Sequence, residues 1–146
     1  MKRIEYLVTI MRLFQFRTVL DEEGNEYVLL KENDGIPSKN VEDKTEFEAV
    51  HNHVHLFDYV KKNEFDALIA EGKLLGRTLL ENLNYRYPEK RFFVFVTVSL
   101  NDSMIVRFHQ IWDGEEPYYN PADFDPEKDR VLMFQTELNT GDASVS

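Results

Sequence analysis

Apolar and aromatic side chains are frequent along the first twenty residues of the chain. Residues 4–20 are rich in β-branched and aromatic types, which predicts one long strand, and residues 21–25 are typical of a turn after it. The next apolar run, 27–30, is expected to pair back as the second strand of a hairpin. Residues 5–13 are alternatively helical, because their apolar positions follow neither a strand nor a helix period cleanly.

Two helices are predicted in the middle of the chain. Thr45 and Glu48 have the spacing of a capping box. Apolar residues then recur every three or four positions, which predicts a helix over about 46–62. A second apolar stripe predicts a further helix, which Pro88 terminates. Its members are Phe65, Leu68, Ile69, Leu75, Leu79 and Leu83.

The clearest strand pattern in the chain is the run 91–100. Residues 104–112 are expected to return as its partner across a turn at Asn101 and Asp102. With an even number of turn residues, one face carries Phe92, Val94, Val96, Val98, Ile105, Arg107, His109 and Ile111. The other face then carries Phe93, Phe95, Thr97, Met104, Val106, Phe108 and Trp112. Both faces are largely apolar, which predicts central strands that are covered on each side.

These elements predict one α+β domain over residues 1–137, with an antiparallel sheet of about five strands and two helices packed on one face. Residues 131–136 form its last short strand, and residues 138–146 are predicted to be a disordered tail. Two helices cover only one face of the sheet. The other face therefore needs the N-terminal segment, a long loop or a second subunit to cover it.

Composition and charge narrow the class of protein. The chain has no cysteine, which excludes disulfides and thiolate chemistry and fits a reducing compartment, so we expect a cytoplasmic protein. The formal net charge of −10 predicts no nucleic-acid binding, which needs clustered basic residues. Acidic residues are in excess in segments 21–66 and 113–146. The longest uncharged run, 92–101, is too short to cross a membrane.

Three of the four histidines lie within residues 51–55. On the predicted helix, His51 and His55 share a face with Asp58, a spacing that suits metal ligands. The zinc-protease pattern is absent, because Asn52 stands where that pattern requires glutamate. The alternative is an ordinary polar helix face, and we expect no bound cofactor.

Two polar residues, Arg107 and His109, interrupt an otherwise apolar strand face. A buried charge needs a partner or a cavity. One hypothesis is a small-molecule pocket in which Arg107 holds an anion and His109 exchanges a proton. The alternative is that they lie at the exposed end of the strand or pair with a glutamate of the core.

The segment 112–129 is long for a connection and contains three prolines. Its aromatic residues Trp112, Tyr118 and Tyr119 suit a recognition surface, because aromatic side chains give contact area at low entropic cost. Alternatively, the segment is an ordered cover for the sheet face that the helices leave open.

No motif in the chain specifies a reaction, so the sequence leaves open whether it is an enzyme. The favoured hypothesis is a non-enzymatic interaction module whose partner is another protein or a second copy of itself. One alternative is a small-molecule-binding domain with a pocket near Arg107 and His109. The other is a metal-dependent enzyme that uses His51, His55 and Asp58.

Deletion of residues 138–146 tests the predicted tail. This segment has only two large apolar side chains, Leu138 and Val145, so it can bury little apolar surface. Differential scanning calorimetry is expected to give nearly the same unfolding midpoint for the truncated and the full chain. A midpoint many degrees lower in the truncated chain would show that the segment is docked on the domain.

Overall fold

The computed structural model describes residues 2–37 and 41–137, and it places three helices and six strands there. The first half of the chain forms α1 (Lys2–Leu13), β1 (Phe16–Leu20), β2 (Glu26–Leu30), α2 (Lys44–His51) and β3 (His53–Phe57). The second half forms α3 (Phe65–Arg86), β4 (Phe92–Ser99), β5 (Met104–Gln110), a short 3-10 helix (Pro121–Asp123) and β6 (Asp129–Gln135). The predicted tail, 138–146, lies outside the described residues.

The strands form two antiparallel sheets. Strands β1 and β2 make a hairpin, and the other four strands lie in the order β3-β5-β4-β6. Side chains from α1 and α3 join one core with the larger sheet and the hairpin. The predicted α+β class is therefore confirmed, with its strands divided between two sheets.

The N-terminal segment is a helix followed by a strand, so the prediction of one long strand is wrong and its helical alternative is correct. Tyr6, Ile10 and Leu13 recur at helical spacing and pack against the core. The Tyr6 ring stacks on Phe57 with 5.2 Å between centroids. The hairpin that follows was correctly predicted, and it pairs Phe16 with Leu30.

The predicted helix over 46–62 is wrong, because α2 ends at His51. Asn52 leaves the helical conformation, with φ −109° and ψ 55°. Residues 53–57 continue as the edge strand β3, in which His53 pairs with Arg107. The capping box was also misassigned: Asp43 caps the helix and accepts a hydrogen bond from the Glu46 amide at 2.9 Å.

The hairpin of β4 and β5 forms as predicted, but in a different register. The Ser99 amide donates to the Ser103 carbonyl at 2.9 Å, so the loop has three residues, and Asn101 takes a left-handed conformation with φ 62°. Val98 therefore pairs with Met104. This odd loop exchanges the predicted faces of β5. Arg107 and His109 lie on the face of Phe93 and Phe95, opposite α3.

Helix α3 packs closely on β4 and β6 through two glycines. A Cβ at Gly72 would lie 3.0 Å from Val96, and one at Gly76 would lie 2.2 Å from the Phe134 ring. Glycine weakens a helix, but here it lets the helix approach the sheet. Neither α3 nor any other helix in the described part of the chain is long and apolar enough to span a membrane.

Replacement of Gly76 by alanine tests this close approach. We expect the free energy of unfolding to fall by about 1–3 kcal/mol, because the added methyl group forces the Phe134 ring to move. Urea denaturation measures this loss, and Phe134→Leu in the same chain should recover part of it by making room. A Gly76→Ala variant as stable as the native protein would show that the helix does not need this glycine.

Candidate functional site

The segment between β5 and β6 covers the sheet face that lies opposite α3. The Tyr119 ring packs edge-on against Phe95, with 5.3 Å between centroids, and against Phe124 at 5.6 Å. Phe93 and Phe95 are 8% and 0% exposed. The chain itself thus closes this apolar face with its long connecting segment, which was one of the alternatives that the sequence left open.

His109 is buried beneath this cover and has both ring nitrogens engaged. Nδ1 donates to the Gln110 carbonyl at 2.7 Å, and Nε2 accepts from the Tyr118 amide at 3.1 Å. This pairing requires the neutral imidazole. Burial also lowers the pKa of His109, which favours the same neutral form. His109 therefore holds the covering segment on β5, with no nitrogen left to exchange a proton with a ligand.

Arg107 lies beside His109 and under the same tyrosines. Its guanidinium carbon is 4.8 Å from the Tyr118 ring centroid and 5.6 Å from that of Tyr119, which is within the range of cation–π attraction. Nη1 donates to the Ala49 carbonyl near the end of α2, where the helix dipole favours a positive charge. Arg107 thus fastens α2 and the covering segment to the sheet.

The structure does not align the predicted metal ligands on one helix face. His51 ends α2, His55 lies in β3 and Asp58 follows that strand, so the helical spacing behind the prediction is absent. His51 Nδ1 instead bonds the Phe47 carbonyl at 2.8 Å. Within residues 2–37 and 41–137, no three histidine or acidic side chains lie close enough together to hold a metal ion.

The fully buried carboxylate of Glu48 connects three parts of the chain. Oε1 accepts from the Gln110 amide at 2.7 Å and from Trp112 Nε1 at 2.8 Å. Oε2 accepts from the Val28 amide at 2.9 Å and from Gln110 Nε2 at 2.8 Å. Burial raises the pKa of Glu48 to about 7, although these four hydrogen bonds favour the ionised form.

Asn52 continues this network along the edge of β2 that β1 leaves open. Its side-chain oxygen accepts from the Leu30 amide at 2.9 Å, and its side-chain nitrogen donates to the Val28 carbonyl at 2.8 Å. Its own carbonyl accepts from the Phe108 amide of β5 at 3.1 Å. The side chains of Glu48 and Asn52 therefore make the hydrogen bonds to the open edge of β2 that a neighbouring strand would otherwise make.

An acidic cleft of about 570 Å³ lies between the start of α2 and residues 114–118. Among the residues that the structure describes, its lining contains five carboxylates and no basic side chain: Glu42, Asp43, Thr45, Glu46, Gly114, Glu115, Glu116, Pro117 and Tyr118. A second cleft of about 440 Å³ shares Glu42, Asp43 and Glu46 and adds the apolar residues Val41, Phe47 and Val50.

Two of the five carboxylates accept hydrogen bonds that stabilise the fold. Asp43 caps α2, and Glu115 ties the two walls of the cleft together by accepting from the Thr45 amide and hydroxyl, both at 2.7 Å. Partial burial raises the pKa of Glu115, but hydrogen bonds from Thr45 and Lys44 outweigh it, and the net shift is downward. Glu115 is therefore ionised at neutral pH.

The other three carboxylates of the cleft are exposed. Glu42, Glu46 and Glu116 form no side-chain hydrogen bond or ion pair with any residue that the structure describes. Of the residues predicted for ligand binding, Tyr118 lines the cleft, whereas Trp112 is not among its lining residues and donates a hydrogen bond to Glu48.

Sequence reasoning missed the carboxylates of the cleft. The only indication was the excess of acid in segments 21–66 and 113–146. Such a count does not show which acidic residues meet, because that depends on the contact between α2 and the covering segment.

Replacement of Glu48 by glutamine tests the buried network. The amide has one acceptor oxygen, and its NH₂ group would face two of the four donors, so we expect a loss of about 2–4 kcal/mol in the free energy of unfolding. Chemical denaturation measures this. Glu46→Gln, on the exposed face of the same helix, is the control and should change the stability by less than about 0.5 kcal/mol. Equal effects of the two changes would contradict the role of Glu48.

Comparison with known proteins gives a match to one family model, which covers most of the chain. No curated protein and no solved structure gives a significant match. One family model, described as the Uncharacterized protein PM0498 family, matches residues 15–142. The match includes Glu48, Asn52 and both walls of the acidic cleft, whereas α1 precedes it. On this match, the chain belongs to the Uncharacterized protein PM0498 family.

Proposed function

We propose that this protein is a non-enzymatic interaction module that binds a basic segment of a partner protein in the acidic cleft. The observation that carries the proposal is the convergence of Glu42, Glu46 and Glu116, three exposed carboxylates with no partner among the described residues. We further propose a cytoplasmic location, because a chain without cysteine fits a reducing compartment.

The electrostatics of the cleft favour a cationic protein ligand. Carboxylates of like charge repel one another when the fold brings them to one place, and lysine or arginine side chains relieve that repulsion. The net charge of −10 also attracts basic partners over a longer range, while it repels nucleic acids.

Hydrogen bonds within the chain fix both walls of the cleft without a bound partner. Glu115 is bonded to Thr45 at the start of α2, Trp112 is bonded to Glu48, and the Tyr118 amide is bonded to His109. A partner therefore meets carboxylates in a fixed arrangement, and the loss of conformational entropy on binding is smaller than for a flexible loop.

The adjoining cleft indicates the composition of the partner segment. It combines the shared carboxylates with Val41, Phe47 and Val50, and Val50 is 44% exposed. Tyr118, which lines the acidic cleft, is 36% exposed. A segment with apolar residues beside its basic residues would use both clefts, because aromatic and aliphatic contacts commonly anchor such interfaces.

Titration of isotope-labelled protein with a deca-arginine peptide tests the location of binding. We expect amide chemical-shift changes concentrated in residues 41–46 and 114–118, and an affinity that weakens as salt is added, since salt screens exposed charges. Shift changes spread evenly over the acidic surface would contradict a specific site.

Two variants of equal net charge separate the cleft from the general acidity of the protein. In the first, Glu42, Glu46 and Glu116 are changed to glutamine, and in the control the exposed residues Glu22, Glu23 and Glu89 are changed instead. The cleft variant is expected to bind about tenfold more weakly, or roughly 1.4 kcal/mol. Isothermal titration calorimetry should find the control close to the native protein, and an equal loss in both would refute the proposal.

A further inference from the structure

The outward face of α1 carries four large apolar side chains that remain open to solvent. Ile4 is 62% exposed, Leu7 53%, Val8 38% and Met11 64%. Their spacing of three, one and three residues aligns them in one stripe along the helix. A contiguous apolar stripe differs from isolated exposed residues, because such patches on soluble proteins commonly mark interaction sites.

The stripe and the core-facing residues lie on different faces of α1. Tyr6, Ile10 and Leu13 lie on another face of α1 and pack against the core, and Leu13 is fully buried. Helix α1 is therefore apolar on two faces, of which the fold uses one. None of the stripe residues lines the acidic cleft, so this surface is separate from the proposed binding site.

We propose that the stripe pairs with the same stripe of a second copy of this chain, in an antiparallel, two-fold symmetric helix pair. In this arrangement Ile4 of one copy faces Met11 of the other, and Leu7 faces Val8. Each side chain meets an apolar group of similar size, which a self-complementary interface requires.

The charges beside the stripe favour a second copy of this chain as the partner and an antiparallel direction of the two helices. Glu5 and Arg12 are seven residues apart, about two helical turns, so they lie on the same flank of the stripe. An antiparallel pair places Glu5 of one copy near Arg12 of the other, and symmetry repeats the contact. Arg12 already binds Glu32 through Nε at 3.0 Å, and its terminal nitrogens are donors for a further carboxylate.

The charge distribution also explains how two acidic chains can meet at this surface. The whole chain carries −10, but its first twenty residues have more basic than acidic side chains. A contact through α1 therefore brings fewer like charges together than a contact between the acidic segments 21–66 and 113–146 of the two copies would. The stripe is small for a stable interface, so we expect a weak dimer rather than a permanent one.

Sedimentation equilibrium of the full chain, at concentrations up to about 1 mM, tests the proposal. The native protein is expected to form dimers reversibly, and Leu7→Glu should be monomeric throughout. Leu74→Glu is the matched control, because Leu74 is a 67% exposed leucine on α3, and it should dimerise like the native protein. A native protein that stays monomeric, or a Leu7→Glu variant that still dimerises, would overturn the proposal.

Exchange of the flanking charges tests the direction of the pair. Glu5→Arg and Arg12→Glu should each weaken the dimer several-fold, and the double variant should recover most of the loss, because it restores opposite charges across the interface. Additive weakening in the double variant would exclude the antiparallel contact.

Vesicle binding tests the other occupant of the stripe. Binding of monomeric native protein to phosphatidylglycerol vesicles, lost in Leu7→Glu, would assign the stripe to a membrane surface and overturn the dimer.

Discussion

The buried carboxylate of Glu48 joins helix α2 to β2, to β5 and to Trp112. Removal of a carboxylate from water is costly unless hydrogen bonds replace the lost hydration. Here four donors from β2, β5 and Trp112 surround its two oxygens. With Asn52, it also occupies the open edge of β2, so the hairpin is attached to the larger sheet by side chains instead of by strand pairing. An edge filled in this way is closed to pairing with other chains.

The same carboxylate fixes the geometry of the proposed binding site. Glu48 lies on α2, whose first residues form one wall of the acidic cleft, and it binds Trp112, where the other wall begins. Glu115 then joins the two walls, and His109 fixes the second wall at its last residue, Tyr118. The polar residues of the core therefore support the site without belonging to it, and the exposed carboxylates remain available for a partner.

The sequence predicted elements whose patterns are long and local, and it failed where a distant contact decides the structure. Helix α3 and the β4–β5 hairpin were predicted correctly because their apolar spacing is sustained over many residues. Helix α2 was predicted too long, because Val54 and Phe57 of β3 continue its apolar spacing, whereas Asn52 ends the helix and binds β2. The faces of β5 were exchanged by one residue of loop length, which no local pattern specifies. The acidic cleft depends on a meeting of two segments that are distant along the chain.

Amide hydrogen exchange of β2 tests most directly whether side chains join the two sheets. The amides of Val28 and Leu30 face Glu48 and Asn52, whereas Leu29 pairs with Arg17 of β1. If the buried side chains act as a strand, Val28 and Leu30 will exchange as slowly as Leu29 in the native protein. Rapid exchange at Val28 and Leu30 beside slow exchange at Leu29 would show an open edge, and it would contradict the structural role of Glu48 and Asn52.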